Sequence, residues 1–199
     1  SFLGWSGACS GTSDCKITMT GAASVVASFK SLTPPSQSYA LPPPSPPPAP
    51  PLAAERVLIS EIMAGIDSNS GYEFVELYNP TQNTVDLTGW SIKKKTSSGT
   101  ESPLVAASRL DGKLVSPGKY FLVAHDGSYT GAVPADVLWP VSYTLAYANN
   151  SIVLYDAGGT EIEEVNWTEI PAGSSYLRQS WDSAQFSVSA TPAPQNSSQ

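Results

Sequence analysis

Glu61, Glu73 and Glu76 are the acidic residues of this 199-residue chain whose spacing could do chemistry. Converging, they could hold a cation, and Asp67-Ser-Asn69-Ser-Gly71 between them has the outline of a calcium loop. That loop lacks a third acidic ligand, and its twelfth position is Tyr78 where a calcium loop needs Glu. Solvated strand ends are the expected placement, with calcium kept as the minor alternative and no other cofactor expected. His125, the only histidine, stands beside Asp126 and could serve acid–base catalysis. No Ser or Cys nucleophile motif accompanies it, and His-Asp-Gly at a strand end is an ordinary turn, so no catalytic residue is expected. Lys93-Lys-Lys95 is the only basic run. It could meet a phosphate or an acidic polymer, but lysines also guard an edge strand against pairing, and that is the expected role. Trp139, Tyr143, Tyr147, Trp167, Tyr176 and Trp181 exceed what a core of this size needs. They could line a sugar-binding face, although Trp and Tyr are also routinely half-buried in sandwiches.

Cys9 and Cys15 flank a Gly-Thr-Ser-Asp turn. A disulfide closing so short a loop stabilises by roughly 2 kcal/mol on the chain-entropy model. The alternative is a pair of reduced, half-buried thiols; with no histidine nearby and a serine-rich setting, the disulfide is expected. Two thiolates and one distant histidine do not make the four ligands of a zinc site, so no metal is assigned.

Charge narrows the range of partners. The net charge is −7, and the region from Val57 onward carries seven basic against fifteen acidic residues. Such a surface repels phosphate backbones, so nucleic acid is not an expected partner. Charged residues make up only 14% of the chain, against a usual ~25%, while 41% are hydrophobic, enough for a core. No apolar run approaches the ~20 residues of a membrane span, and nothing resembles a signal peptide. The chain opens on Ser1-Phe2 in the middle of a pattern, which reads as a C-terminal fragment with any targeting signal upstream.

The elements that must position these residues fall into compositional blocks. Residues 1–30 are a short β-rich piece in which Ile17 and Met19, then Val25, Ala27 and Phe29, alternate with polar or small residues. Residues 31–55 are proline-rich, with ten of the 18 prolines between Pro34 and Pro51. Consecutive prolines lack amide donors and fix φ, which excludes helix and sheet there and predicts a stalk able to span roughly 50 Å. Residues 56–190 read as a series of short strands: Val57–Met63, Phe74–Tyr78, Thr84–Leu87, Trp90–Lys94, Lys119–Ala124, Asp136–Trp139, and a hairpin of Ser151–Tyr155 with Thr160–Trp167. The segment Gly65–Gly71 is expected as a loop, and a long loop follows Lys94 to a tight turn at Asp111-Gly112. Residues 191–199 are expected as a disordered tail. Strands at this spacing, with no convincing helical period, indicate an all-β sandwich. Its predicted core holds Ile59, Ile62, Phe74, Leu77, Leu87, Trp90, Phe121, Val123, Ile152, Leu154 and Val165.

The wording of this region is more specific than its pattern. Ile59-Ser-Glu-Ile62, then EFVELYNP at 73–80 and VDLTGW at 85–90, closely resembles the bacterial lamin-tail domain. SPGKYFLVA, SIVLYDAGGTEIEEV, Gly173-Ser-Ser-Tyr-Leu-Arg178 and Ala190-Thr-Pro-Ala-Pro-Gln-Asn196 are similar to later motifs of that family, with Ala193 in place of a usual Gly. The resemblance implies an immunoglobulin-like β-sandwich with no catalytic residues to carry over. The FLGWSGACSG…C.ITMT…SVVASF wording of residues 1–30 is similar to the last third of a divergent InlB-type B-repeat of bacterial surface proteins. Together these predict a non-enzymatic, extracellular or cell-surface attachment module of a bacterium, its partner a protein or a surface polysaccharide. A carbohydrate-binding module is the alternative, as is an accessory C-terminal domain of a secreted hydrolase or nuclease, enzymes that lamin-tail domains often accompany.

Overall fold

The computed structural model describes residues 1–31 and 56–199, which fall into two units, one on each side of the proline-rich stretch. The predicted stalk lies outside the described residues. Among them, no helix is long and apolar enough to cross a membrane.

The N-terminal unit is a hairpin of β1 (Phe2–Gly7) and β2 (Val25–Phe29), paired antiparallel with a bulge near Phe2. The ring of Phe2 lies against Trp5 and Phe29, and the Trp5 indole donates to the Ser13 carbonyl. Cys9 and Cys15 form a disulfide across a Cα separation of 5.7 Å. The expected strand at Ile17 and Met19 is absent: that stretch is irregular, and Met19 is 67% exposed. No residue of this unit is fully buried, because so few residues cannot enclose a core. The cross-link and ring contacts hold what apolar burial cannot.

The larger unit is a sandwich. Its strands run β3 (Leu58–Ile66), β4 (Asn69–Tyr78), β5 (Val85–Asp86), β6 (Ser91–Thr96) and β7 (Glu101–Val105). After a one-turn helix α1 (Ala107–Leu110) come β8 (Leu114–Val115), β9 (Tyr120–His125), β10 (Val137–Trp139), β11 (Ala148–Tyr155), β12 (Glu161–Glu169), β13 (Ser175–Arg178) and β14 (Phe186–Ser189). A six-stranded sheet has the order β10-β9-β4-β3-β13-β14, antiparallel except for β10 on β9. The facing sheet is β12-β11-β6-β7, and β5 pairs with β8 in a small third sheet. Alternation puts Ile59, Ile62, Val75, Leu77, Phe121 and Val123 of the first sheet against Ile92, Ile152, Leu154, Val165 and Trp167 of the second. All eleven residues predicted for the core are buried, with Phe74 on the far side of its sheet. There it joins Met63, Leu122 and Ala124 in a smaller cluster, covered by Tyr129 from the β9–β10 connection.

Several expectations change. The Gly65–Gly71 loop is a strand hairpin instead, closed at Ile66 and Asn69 by a turn of only Asp67 and Ser68. The long loop after Lys94 contains β7, a strand that Pro103 disguises; proline is tolerated because β7 is an edge. Lys93–Lys95 therefore does not guard an edge: β6 lies between β11 and β7. Lys93 pairs with Glu101 at 2.9 Å and Lys95 with Glu164 at 2.7 Å on the outer face of that sheet. Residues 191–199 are not a free tail, since Asn196 is buried and the segment is bonded along its length.

Candidate functional site

The outward face of the six-stranded sheet carries two of the three glutamates that the sequence singled out, Glu61 and Glu76. A bulge between Ile59 and Glu61 turns both Ser60 and Glu61 outward, and Glu61 lies directly across from Glu76 on β4. Neither glutamate is a solvated strand end; both are about 98% or more buried. The segment after β14 crosses them. Glu61 accepts from the Ser175 hydroxyl and, at 3.2 Å, from the Ala193 amide, while Glu76 accepts from the Ser60 hydroxyl and the Gln195 amide. Farther along, the Asn196 amide side chain donates to the Pro134 carbonyl, and Ser197 donates to the Asp136 carboxylate. Pro192 and Pro194 leave Ala193 and Gln195 as isolated donors, two apart, one for each carboxylate. Burial pushes the Glu76 carboxyl up to about 7, against the lowering pull of its hydrogen bonds, and the Glu61 carboxyl is raised by the same cause. Beside this crossing lies a cleft of about 270 Å³ lined by Ser60, Glu61, Glu76, Tyr120, Trp181 and Gln195, among others.

The β3–β13 ladder ends at Glu61 and Leu177, so on that side the main chain of Ile59 has no ladder partners. An ion pair supplies them: Glu163 accepts from the Ile59 amide at 2.9 Å, and Arg178 Nε donates to the Ile59 carbonyl at 2.7 Å. Arg178 and Glu163 bond each other, and their side chains are 1% and 4% exposed. Since Arg178 is on β13 and Glu163 on β12, this pair ties one sheet to the other. Phe186 stacks on the guanidinium, and Nη1 donates to the Ser183 carbonyl. Glu73 faces the sandwich interior, where it accepts from the Leu145 amide at 2.9 Å. Burial pushes its carboxyl up to about 8, only partly offset by that bond and by Lys94.

Asn79 of the same motif is fully buried. It donates to the Val115 and Asn83 carbonyls and accepts from the Thr81 amide, which shapes the turn at Pro80. The lamin tail domain family model matches residues 50–169. The chain belongs to the lamin tail domain family. No curated protein matches it. The matched region ends where β12 does, and in this lamin tail domain β13, β14 and the crossing segment lie beyond it.

The remaining candidates are distributed through the domain and form no common site. His125 is buried, with Nε2 3.2 Å from the Val141 carbonyl, and its ring meets Trp139 edge-on, while Asp126 is exposed on the turn outside. Among the described residues, no group of three or more His, Cys, Asp or Glu is placed to hold a metal. Asp67 sits on the exposed hairpin turn, and the Asn69 side chain is engaged by the Ser128 carbonyl and the Gly71 amide. The Asp86 carboxylate accepts from the hydroxyl and amide of Thr88, which keeps it below the usual range. The aromatic set is largely core: Trp139 and Trp167 are buried, each indole donating to a carbonyl, of Tyr143 and of Ala146. Tyr143, Tyr147 and Tyr176 pack against that core, and Trp181 alone of the six lines the cleft, stacked on Tyr78. The sequence assigns no role to Ser60, Glu163, Ser175 or Gln195, although each lies in a segment that resembles a lamin-tail motif.

Proposed function

We propose that the chain is a non-enzymatic attachment module displayed outside a bacterial cell, a lamin tail sandwich held on a proline-rich stalk. One observation supports this above the rest: three buried carboxylates, Glu61, Glu76 and Glu163, are bonded within the fold. Glu61 is bonded to Ser175 and Ala193, Glu76 to Ser60 and Gln195, and Glu163 to Ile59 and Arg178. At Glu76 and Glu163 both oxygens are engaged, as in a strut, whereas a general acid or base needs a free edge for substrate. The purified chain should show no turnover of ester, phosphate or glycoside substrates above a blank. Reproducible turnover that disappears in His125→Ala would overturn the proposal. A polysaccharide is retained as partner on a narrower footing, Trp181 and Tyr120 at the cleft. Pull-down on insoluble polysaccharides, with Trp181→Ala as the comparison, tests it; equal retention of both proteins counts against a sugar site there.

A further inference from the structure

The cleft over β3 and β4 holds an unbalanced charge. Glu61 and Glu76 lie directly across from each other, 1% and 2% exposed. All four of their donors are neutral: the Ser60 and Ser175 hydroxyls and the Ala193 and Gln195 amides. Buried charges are ordinarily paired, and these donors favour the ionised carboxylates without neutralising them. Among the described residues lining the cleft, Arg178 is the one cation, and it is committed to Glu163, Ile59 and Ser183. One acceptor is also open. Both oxygens of Glu76 are engaged, but Ser175 and Ala193 share Oε1 of Glu61, and among the described residues no donor reaches Oε2. The side-chain atoms enclosed without a partner belong to Glu73, His125 and Asn150, so Oε2 of Glu61 keeps a path to solvent through the cleft it lines. We propose that this cleft receives a lysine side chain of a basic partner protein, its ammonium on Oε2 of Glu61 and its aliphatic stem along Trp181 and Tyr120.

The chemistry of the lining selects this occupant. Calcium needs about six to eight oxygen ligands, which one free carboxylate oxygen cannot supply. Among the described residues, no group of His, Cys, Asp or Glu is placed to hold a metal. A guanidinium binds a carboxylate best through both oxygens, and Glu61 offers one, so a point-charge ammonium fits better. Trp181 and Tyr120 are half-buried at the cleft, and an aromatic face attracts a cation while covering its methylenes. At about 270 Å³ the space is below the ~300–1,000 Å³ of pockets that enclose a drug-sized ligand, which suits one side chain rather than a length of polymer. The rings also pack on each other, Trp181 on Tyr78 at 4.1 Å and Tyr78 against Tyr120 at 4.7 Å. They form one patch, not a row of separate platforms for successive sugars. From Val57 onward, seven basic against fifteen acidic residues steer a basic partner toward this domain and repel an acidic one. This assignment rests on the attachment reading and gives the partner its chemistry.

The test titrates the intact chain with acetyl-Gly-Lys-Gly-amide, read from the ring-carbon NMR signals of Trp181 and Tyr120. Two control peptides carry norleucine, which keeps the stem without the ammonium, or acetylated lysine, which removes the charge. The titration is run at pH 8, above the value to which burial pushes Glu76. The lysine peptide should shift both rings saturably at millimolar concentration. A hydrogen bond to a charged group is worth about tenfold or more in affinity, so both controls should bind at least about tenfold more weakly. Glu61→Gln keeps an acceptor for Ser175 and Ala193 but turns an amide N–H₂ to the cleft, and should weaken the lysine peptide about tenfold or more. Trp181→Ala should weaken it about fivefold, which keeps the test decisive if Glu61→Gln fails to fold. Absence of a saturable shift at these rings, or equal affinity for the norleucine peptide, would overturn the proposal. A glucose or glucosamine oligomer that shifts Trp181 where the lysine peptide does not would also overturn it, and would leave the attachment reading standing. Substrate turnover lost in His125→Ala would strike the attachment reading and leave the titration unchanged.

Discussion

Removing Arg178 is the sharpest perturbation of this fold, because it leaves Glu163 charged inside the molecule. Arg178→Ala deletes the ion pair, the donor to the Ile59 carbonyl, the donor to Ser183 and the stack on Phe186. Breaking a buried pair by removing one partner typically costs about 3–5 kcal/mol, most of it the stranded charge. For a domain with about 5–15 kcal/mol of total stability, that is a large fraction. Glu163→Gln should cost somewhat less, about 2–4 kcal/mol, because its amide oxygen can still accept from the Ile59 amide while Arg178 keeps its two carbonyls. Arg178→Met/Glu163→Met strands no charge, but leaves both main-chain groups of Ile59 unpaired at about 1–3 kcal/mol each. The double variant should thus be about as stable as the worse single, well short of the two single costs together. Urea unfolding at pH 7, followed by tryptophan fluorescence, measures all three. The reasoning fails if Arg178→Ala costs under about 1 kcal/mol, or if the single effects add in the double variant.

Glu73→Gln should remove a pH dependence. A carboxyl raised from 4.5 to about 8 stabilises the fold fully below pH 4.5, and that contribution is lost as pH rises to 8. The variant's stability should accordingly decline less steeply across this window, by up to about 1.4 kcal/mol per pH unit, in urea titrations at pH 5 to 8. Equal slopes for the two proteins would refute a proton on Glu73. Gly65→Ala should lower the thermal midpoint at a cost of about 1–3 kcal/mol. Gly65 has φ of 124°, and a Cβ there would lie 2.6 Å from the Ser70 carbonyl oxygen and 2.7 Å from the Tyr147 hydroxyl. An unchanged midpoint would show that the hairpin relaxes freely.

What the chain declares along its length is its short apolar runs. Ile59, Leu77, Val123 and Leu154 are recognisable as core because each sits in such a run, of strand length and rich in apolar residues, and a strand of that kind must bury at least one face. The Asn79-Pro80 turn, the Asp156–Gly159 hairpin and the Cys9–Cys15 cross-link are equally legible, each set by residues close in sequence. Pro103 hid β7 because proline excludes a central strand but not an edge, and edge status depends on neighbours. The same ambiguity misplaced Lys93–Lys95, whose outward side chains suit an edge or a paired strand alike.

The acidic residues show where local reading ends. Glu61, Glu76 and Glu163 carry the same side chain as any solvated strand glutamate, and nothing adjacent to them marks their burial. Their partners lie far along the chain: Ala193 and Ser175 for Glu61, Gln195 for Glu76, Ile59 for Glu163. The sequence by itself determined the sandwich class, its core and its short-range turns, because periodicity and turn chemistry act over a few residues. Only the tertiary structure decided that Glu61 and Glu76 are buried under a crossing segment and that Glu163 bridges the two sheets. Desolvation and long-range hydrogen bonds depend on what covers a group, and that is known only once the sheets and the segment after β14 have come together.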